Sequence, residues 1–134
     1  MQAILIVTIA LHVLAGVFWA GSTFVLARTG AYQAKQLFKP QMGAATVAVA
    51  TGSALWFLLH RGSAGMQEHV LGIGAASALL AAGIQGLSAR TLRQPVAAGA
   101  SAAFAPDKSV ATSQRIAAAL LAITAICMAA SRYA

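Results

Sequence analysis

Residues 3–27 read AILIVTIALHVLAGVFWAGSTFVLA, a run with no charged side chain and a single imidazole, His12. About 20 apolar residues suffice to cross a bilayer as a helix, so this run predicts a transmembrane span long enough to tilt or protrude. It is too long for the apolar region of a secretion signal and no basic segment precedes it, so it is expected to remain as a helix.

Three further runs follow, at about 41–59, 69–89 and 113–131. Pro40 precedes the second and suits the first turn of a helix. Ser113 stands where an N-cap is wanted at the head of the fourth. The runs are too long and too rich in alanine for barrel strands, which need only about 10 residues each. The predicted fold class is therefore all-α: an integral membrane four-helix bundle in one domain spanning residues 1–134.

Composition agrees. Of 134 residues, 60% are apolar and 8% charged, against roughly 25% charged in a soluble domain. Nine Lys or Arg face two acidic residues, a net charge of +7. Such a balance can signal nucleic acid, but here the charges stand singly between apolar runs, so no nucleic-acid partner is expected. The expected partner is the lipid bilayer.

Loop charge gives the orientation. Arg28, Lys35 and Lys39 follow the first span, a stretch that reads as a short interfacial helix. Arg90, Arg93 and Lys108 lie between the third and fourth, with Arg115 just beyond. The second connection has Arg61 offset by Glu68. The positive-inside rule places the first and third connections in the cytoplasm and both termini outside, in a cell membrane expected to be a bacterial inner membrane.

Helices in lipid pack through small residues and hydrogen bonds. Ala44, Ala48 and Gly52 make one smooth stripe, and Gly72, Ala76 and Leu80 suggest a second. These read as bundle packing, or as room for a flat cofactor between helices.

No carboxylate lies within a span, which argues against an acidic proton relay. No phosphate loop, nucleophile elbow or zinc-protease motif occurs. What remains is histidine. His12 lies about 13 Å below the end of its helix. An imidazole at that depth reads as a cofactor or metal ligand, or as a structural group bonded to a neighbour. Depth counting places Thr51, Ser53, Ser77 and Thr124 at its level, where they could fix its tautomer. His60 and His69 sit in another layer, at the interface, with Met66 between them and Cys127 and Met128 approaching from span four. Imidazole, thioether and thiol together suit Cu(I), although interfacial histidines also serve as plain boundary residues. Trp56, Phe57 and Tyr133 fit an interfacial belt. Trp19, two turns from His12, reads as packing or as the wall of a site. Cys127, the single cysteine, reads as packing.

The stretch from Leu11 to Gly21, with His12, then Trp19, then Gly21, resembles the first helix of the copper resistance D family and of the HemJ-type membrane proteins linked to protoporphyrinogen oxidation. Arg28 fits the same pattern, and the similarity runs from Leu11 to Lys35. Four spans in a short chain also match the HemJ-type layout. The resemblance implies a haem b ligand at His12. Two functions follow as expectations. One is haem b or copper binding through His12, serving membrane redox chemistry or metal handling, with His60, His69 and Met66 as further metal candidates. The alternative is a non-catalytic accessory or assembly subunit, in a homo-oligomer or a larger membrane complex. A small transporter half, lined by His12 and Gln85, is a third.

Overall fold

The computed structural model describes residues 2–29, 33–59, 65–93 and 108–134, with the backbone alone for residues 35 and 89–93. The chain is all-α. Helix α1 covers Gln2–Arg28, α2 Ala34–Leu59, α3 Met66–Arg93 and α4 Lys108–Ala130. Each contains a stretch long and apolar enough to cross a membrane, so the chain is a multi-pass membrane protein. Four crossings bring both termini to one side, here called the termini face. The opposite side, with the α1–α2 and α3–α4 connections, is the loop face.

The helices run antiparallel around a square. α1 lies along α2, α3 lies along α4, and α1 also packs on α4, whereas α2 and α3 barely meet. The buried residues of α1 are Trp19, Thr23, Leu26 and Ala27. They fall on one helical face, and all lie in the half of α1 nearest the loop face. The other half exposes Ile4, Val7 and Leu14, which in a bilayer means contact with lipid. α1 thus joins the buried core only toward the loop face, and its first half stays outside it.

Small residues build that core. Ala45, Ala48, Ala81 and Ala117 pack around Trp19 and Leu121. Nearer the loop face, Leu26, Ala34 and Val110 form a second cluster with Leu37. At the end of α1, Arg115 Nε donates to the Ala27 carbonyl at 3.4 Å, placing a cation against the negative end of the helix dipole.

α3 approaches α4 closely at Gly74. A Cβ there would lie 3.0 Å from the Cys127 Cβ and 3.4 Å from the Thr124 backbone oxygen. The Thr124 hydroxyl in turn donates to the Gly74 carbonyl at 3.0 Å. Neither obstacle can swing away, so Gly74→Val is expected to destabilise the bundle by about 1–3 kcal/mol, measured by unfolding in mixed micelles. Gly72→Val is the control, because a Cβ at Gly72 meets nothing within 4 Å.

Three local expectations are corrected. Pro40 lies inside α2 rather than opening it. A proline here removes the N–H that would bond the carbonyl of Gln36. Gln36 is exposed near the loop face, where water or headgroups can replace that bond. The stretch read as an interfacial helix is thereby, from Ala34 on, the first turns of α2. Ser113 is no N-cap: α4 begins at Lys108, and Ser113 instead accepts a hydrogen bond from Ser88 across α3–α4 at 2.9 Å. Finally, the packed face of α3 is Gly74, Ser77, Ala81 and Gln85, not the stripe through Leu80, which is 60% exposed. Spacing alone could not tell which small-residue face meets protein and which meets lipid.

Candidate functional site

His12 projects from α1 toward α2. Its Nδ1 lies 2.9 Å from the Ala48 carbonyl oxygen and 3.1 Å from Thr51 Oγ1. A carbonyl only accepts, so Nδ1 carries the proton, and in a neutral imidazole Nε2 keeps its lone pair. Thr51 spends its own hydroxyl proton on the Val47 carbonyl at 2.6 Å, so it too acts as an acceptor toward the ring. Among the described residues Nε2 has no hydrogen-bond partner.

Gly52 makes the room for this ring. A Cβ at Gly52 would stand 2.9 Å from His12 Cε1 and 3.4 Å from Nδ1. The Ala44–Ala48–Gly52 stripe therefore serves two ends: it brings α1 and α2 together, and its last member cradles the imidazole.

His12 lines a chamber of about 560 Å³ in the half of the bundle nearer the termini face, within the range of small-molecule sites. All four helices contribute. Trp19 closes it toward the loop face, Trp56 and Phe57 stand toward the termini face, and Leu79 and Met128 come from α3 and α4. Its walls are overwhelmingly apolar. Of the residues expected at the level of His12, Thr51 bonds the ring, while Ser53 and Thr124 line the chamber. Ser77 is buried and donates to Ile73 instead.

Below the chamber lies a polar layer that the sequence reading missed. Trp19 Nε1 donates to Gln85 Oε1 at 2.7 Å. Gln85 Nε2 then donates to Thr23 Oγ1 at 2.9 Å and Gln114 Oε1 at 3.0 Å. Gln41 Nε2 reaches the same two acceptors at 2.9 and 3.3 Å. Thr23 passes its proton to the Trp19 carbonyl at 2.7 Å. Every amide orientation follows from one fact: an indole N–H can only donate. Gln85 must turn its oxygen to Trp19 and its nitrogen inward, Gln114 must answer with oxygen, and Gln41 must then offer nitrogen. Gln41 Oε1 is left as a buried atom without a partner. Trp19, Thr23, Gln41, Gln85 and Gln114 are each 2% exposed or less, so the layer ties all four helices together away from water. The available signal was depth: these three glutamines and Thr23 fall at one level when counted from the helix ends.

The remaining sequence candidates lie elsewhere. His69 Nδ1 bonds the Gly65 carbonyl at 2.8 Å, and Glu68 Oε2 accepts the Gly65 N–H at 2.7 Å. Both side chains thus secure the start of α3, Glu68 at the third helical position as in a capping box. They border a second, shallower cavity of about 480 Å³ that shares Trp56 with the chamber. Met66 is 69% exposed. His60 lies outside the described residues. Among the described residues, no three of His, Cys, Asp and Glu converge as a metal-binding group. Cys127 packs against Gly74.

Compared with protein-family models, with curated proteins and with solved structures, the chain matches none.

Proposed function

We propose that this membrane protein binds haem b through His12 and serves membrane redox chemistry. One observation carries the reading. The Ala48 carbonyl holds Nδ1–H and leaves Nε2 unengaged on a large apolar chamber, the arrangement in which a second hydrogen bond orients a metal-ligating imidazole. The first-helix resemblance to the HemJ type and the copper resistance D family points the same way. Haem b supplies a one-electron couple whose potential responds to its ligands and to burial. His12 would hold the iron, and Trp19, Trp56 and Phe57 would border the ring. Copper fits the same nitrogen less well, because Cu(I) calls for several soft ligands in one place.

The test is spectroscopic. Protein purified with haem supplied is expected to show a Soret band that His12→Ala abolishes and His69→Ala retains. A colourless wild type, or a band indifferent to His12, refutes the reading. The second reading, an accessory subunit in a homo-oligomer or larger complex, draws on the unburied first half of α1. Co-purification of a stable partner through that half supports it. The expected setting is a bacterial inner membrane, with the termini face outside according to the loop charges.

A further inference from the structure

The polar atoms at the deep end of the chamber share one property: they accept and do not donate. His12 Nδ1–H is committed to the Ala48 carbonyl, which leaves the Nε2 lone pair. The Ser53 hydroxyl donates to the Val49 carbonyl at 2.9 Å, and the Thr124 hydroxyl donates to the Gly74 and Leu120 carbonyls at 3.0 Å each. The Trp19 N–H, which could have donated into the chamber from its floor, is spent on Gln85. Trp56 stands apart at the outer lip, where the second cavity begins.

A deep end that offers only acceptors discriminates by chemistry. A ligand carbonyl or ether placed there meets lone pairs, and in a low-dielectric site nothing offsets its desolvation. A ligand hydroxyl finds an acceptor. The walls add shape: Trp19, Trp56 and Phe57 offer ring faces and edges, which favour a flat aromatic partner over an alkyl chain. Access comes from lipid, because the chamber draws its walls from α2 and α3, the neighbouring pair that barely meets.

We infer that the chamber receives a membrane-dissolved lipophile bearing a phenol-type hydroxyl, whose proton is accepted by His12 Nε2. This uses the chamber described above but needs no metal. The same lone pair cannot serve iron and a hydroxyl at once, so such a ligand competes with haem, and the two readings fail separately.

The test compares two probes that differ by one donor, a long-chain 4-alkylphenol and its methyl ether. Each is titrated into the full chain in nanodiscs, with empty nanodiscs to correct for partition. Emission from Trp19 and Trp56 is excited at the red edge, where the phenol does not absorb. One hydrogen bond made in the phenol complex and lost in the ether corresponds to a preference of about tenfold. The expected result is that preference in the wild type and its loss in His12→Phe. Equal affinity for the two probes in the wild type overturns the inference, as does a preference that survives in His12→Phe. The wild-type comparison decides even if the variant fails to fold. A Soret band without phenol preference leaves the haem reading standing and removes this one. Phenol preference without a Soret band does the reverse.

Discussion

Gln85→Leu is expected to cost about 2 kcal/mol of stability, and Gln41→Leu almost nothing, although both glutamines are fully buried in the same layer. The difference lies in what each leaves behind. Without Gln85, the Trp19 N–H loses its acceptor and becomes a buried orphan donor, a state that costs about 1–3 kcal/mol. Thr23 and Gln114 are less affected, because Gln41 still donates to both. Without Gln41, Gln85 still supplies the same two acceptors, and the unpartnered Gln41 Oε1 disappears with the side chain. Hydrogen bonds between membrane helices average only about 0.6 kcal/mol, so the orphan and not the lost bond dominates. Pairing Gln85→Leu with Trp19→Phe removes the orphan and should recover at least half of the loss. Reversible unfolding in mixed micelles across this double-mutant cycle measures it. Equal costs for the two single glutamine variants would mean that the indole does not set the amide orientations.

Gly52→Ala is expected to weaken ligand binding at His12 by tenfold or more while leaving stability within about 1 kcal/mol. The new methyl arrives 2.9 Å from His12 Cε1, closer than real contacts allow. The ring is the far end of a flexible side chain and can yield, unlike the backbone at Gly74. Alanine also favours helix over glycine by about 1 kcal/mol, which offsets the strain. What changes is the position of the imidazole: it is pushed off the Ala48 carbonyl, and Nε2 moves with it. Both the Soret intensity of haem-loaded protein and the phenol preference should fall together. Unchanged values for both would show that Gly52 does not place the ring.

The helices were legible because lipid imposes a simple rule: long uncharged runs must be helical. His12 was legible for the same reason, since an ionisable group at that depth stands out, and depth counting found Thr51. The Trp19–Gln85 bond was not legible. Nothing in the run around Trp19 distinguishes an indole that packs from one that donates, and Gln41 looked like the edge of a span because Pro40 precedes it. Proline at that position was tolerated by a neighbourhood the sequence does not display. The stripe through Leu80 misled because periodicity reports that a face is smooth, not what lies against it.

The placing of the polar layer toward one end of the bundle bears on what the chamber can hold. Toward the loop face the four rods are pinned by amides whose bonds are directional and have no water to trade with. Toward the termini face α1 stays tied to α2 through His12 and Ala48, and α3 to α4 through Gly74 and Thr124, with the chamber between the two pairs. The assembly resembles a clothes-peg, with the amide layer as its pivot and the two helix pairs as its jaws. A guest held between the jaws leaves the amide bonds of the pivot untouched, and the imidazole that meets it is seated within one jaw, on the Ala48 carbonyl.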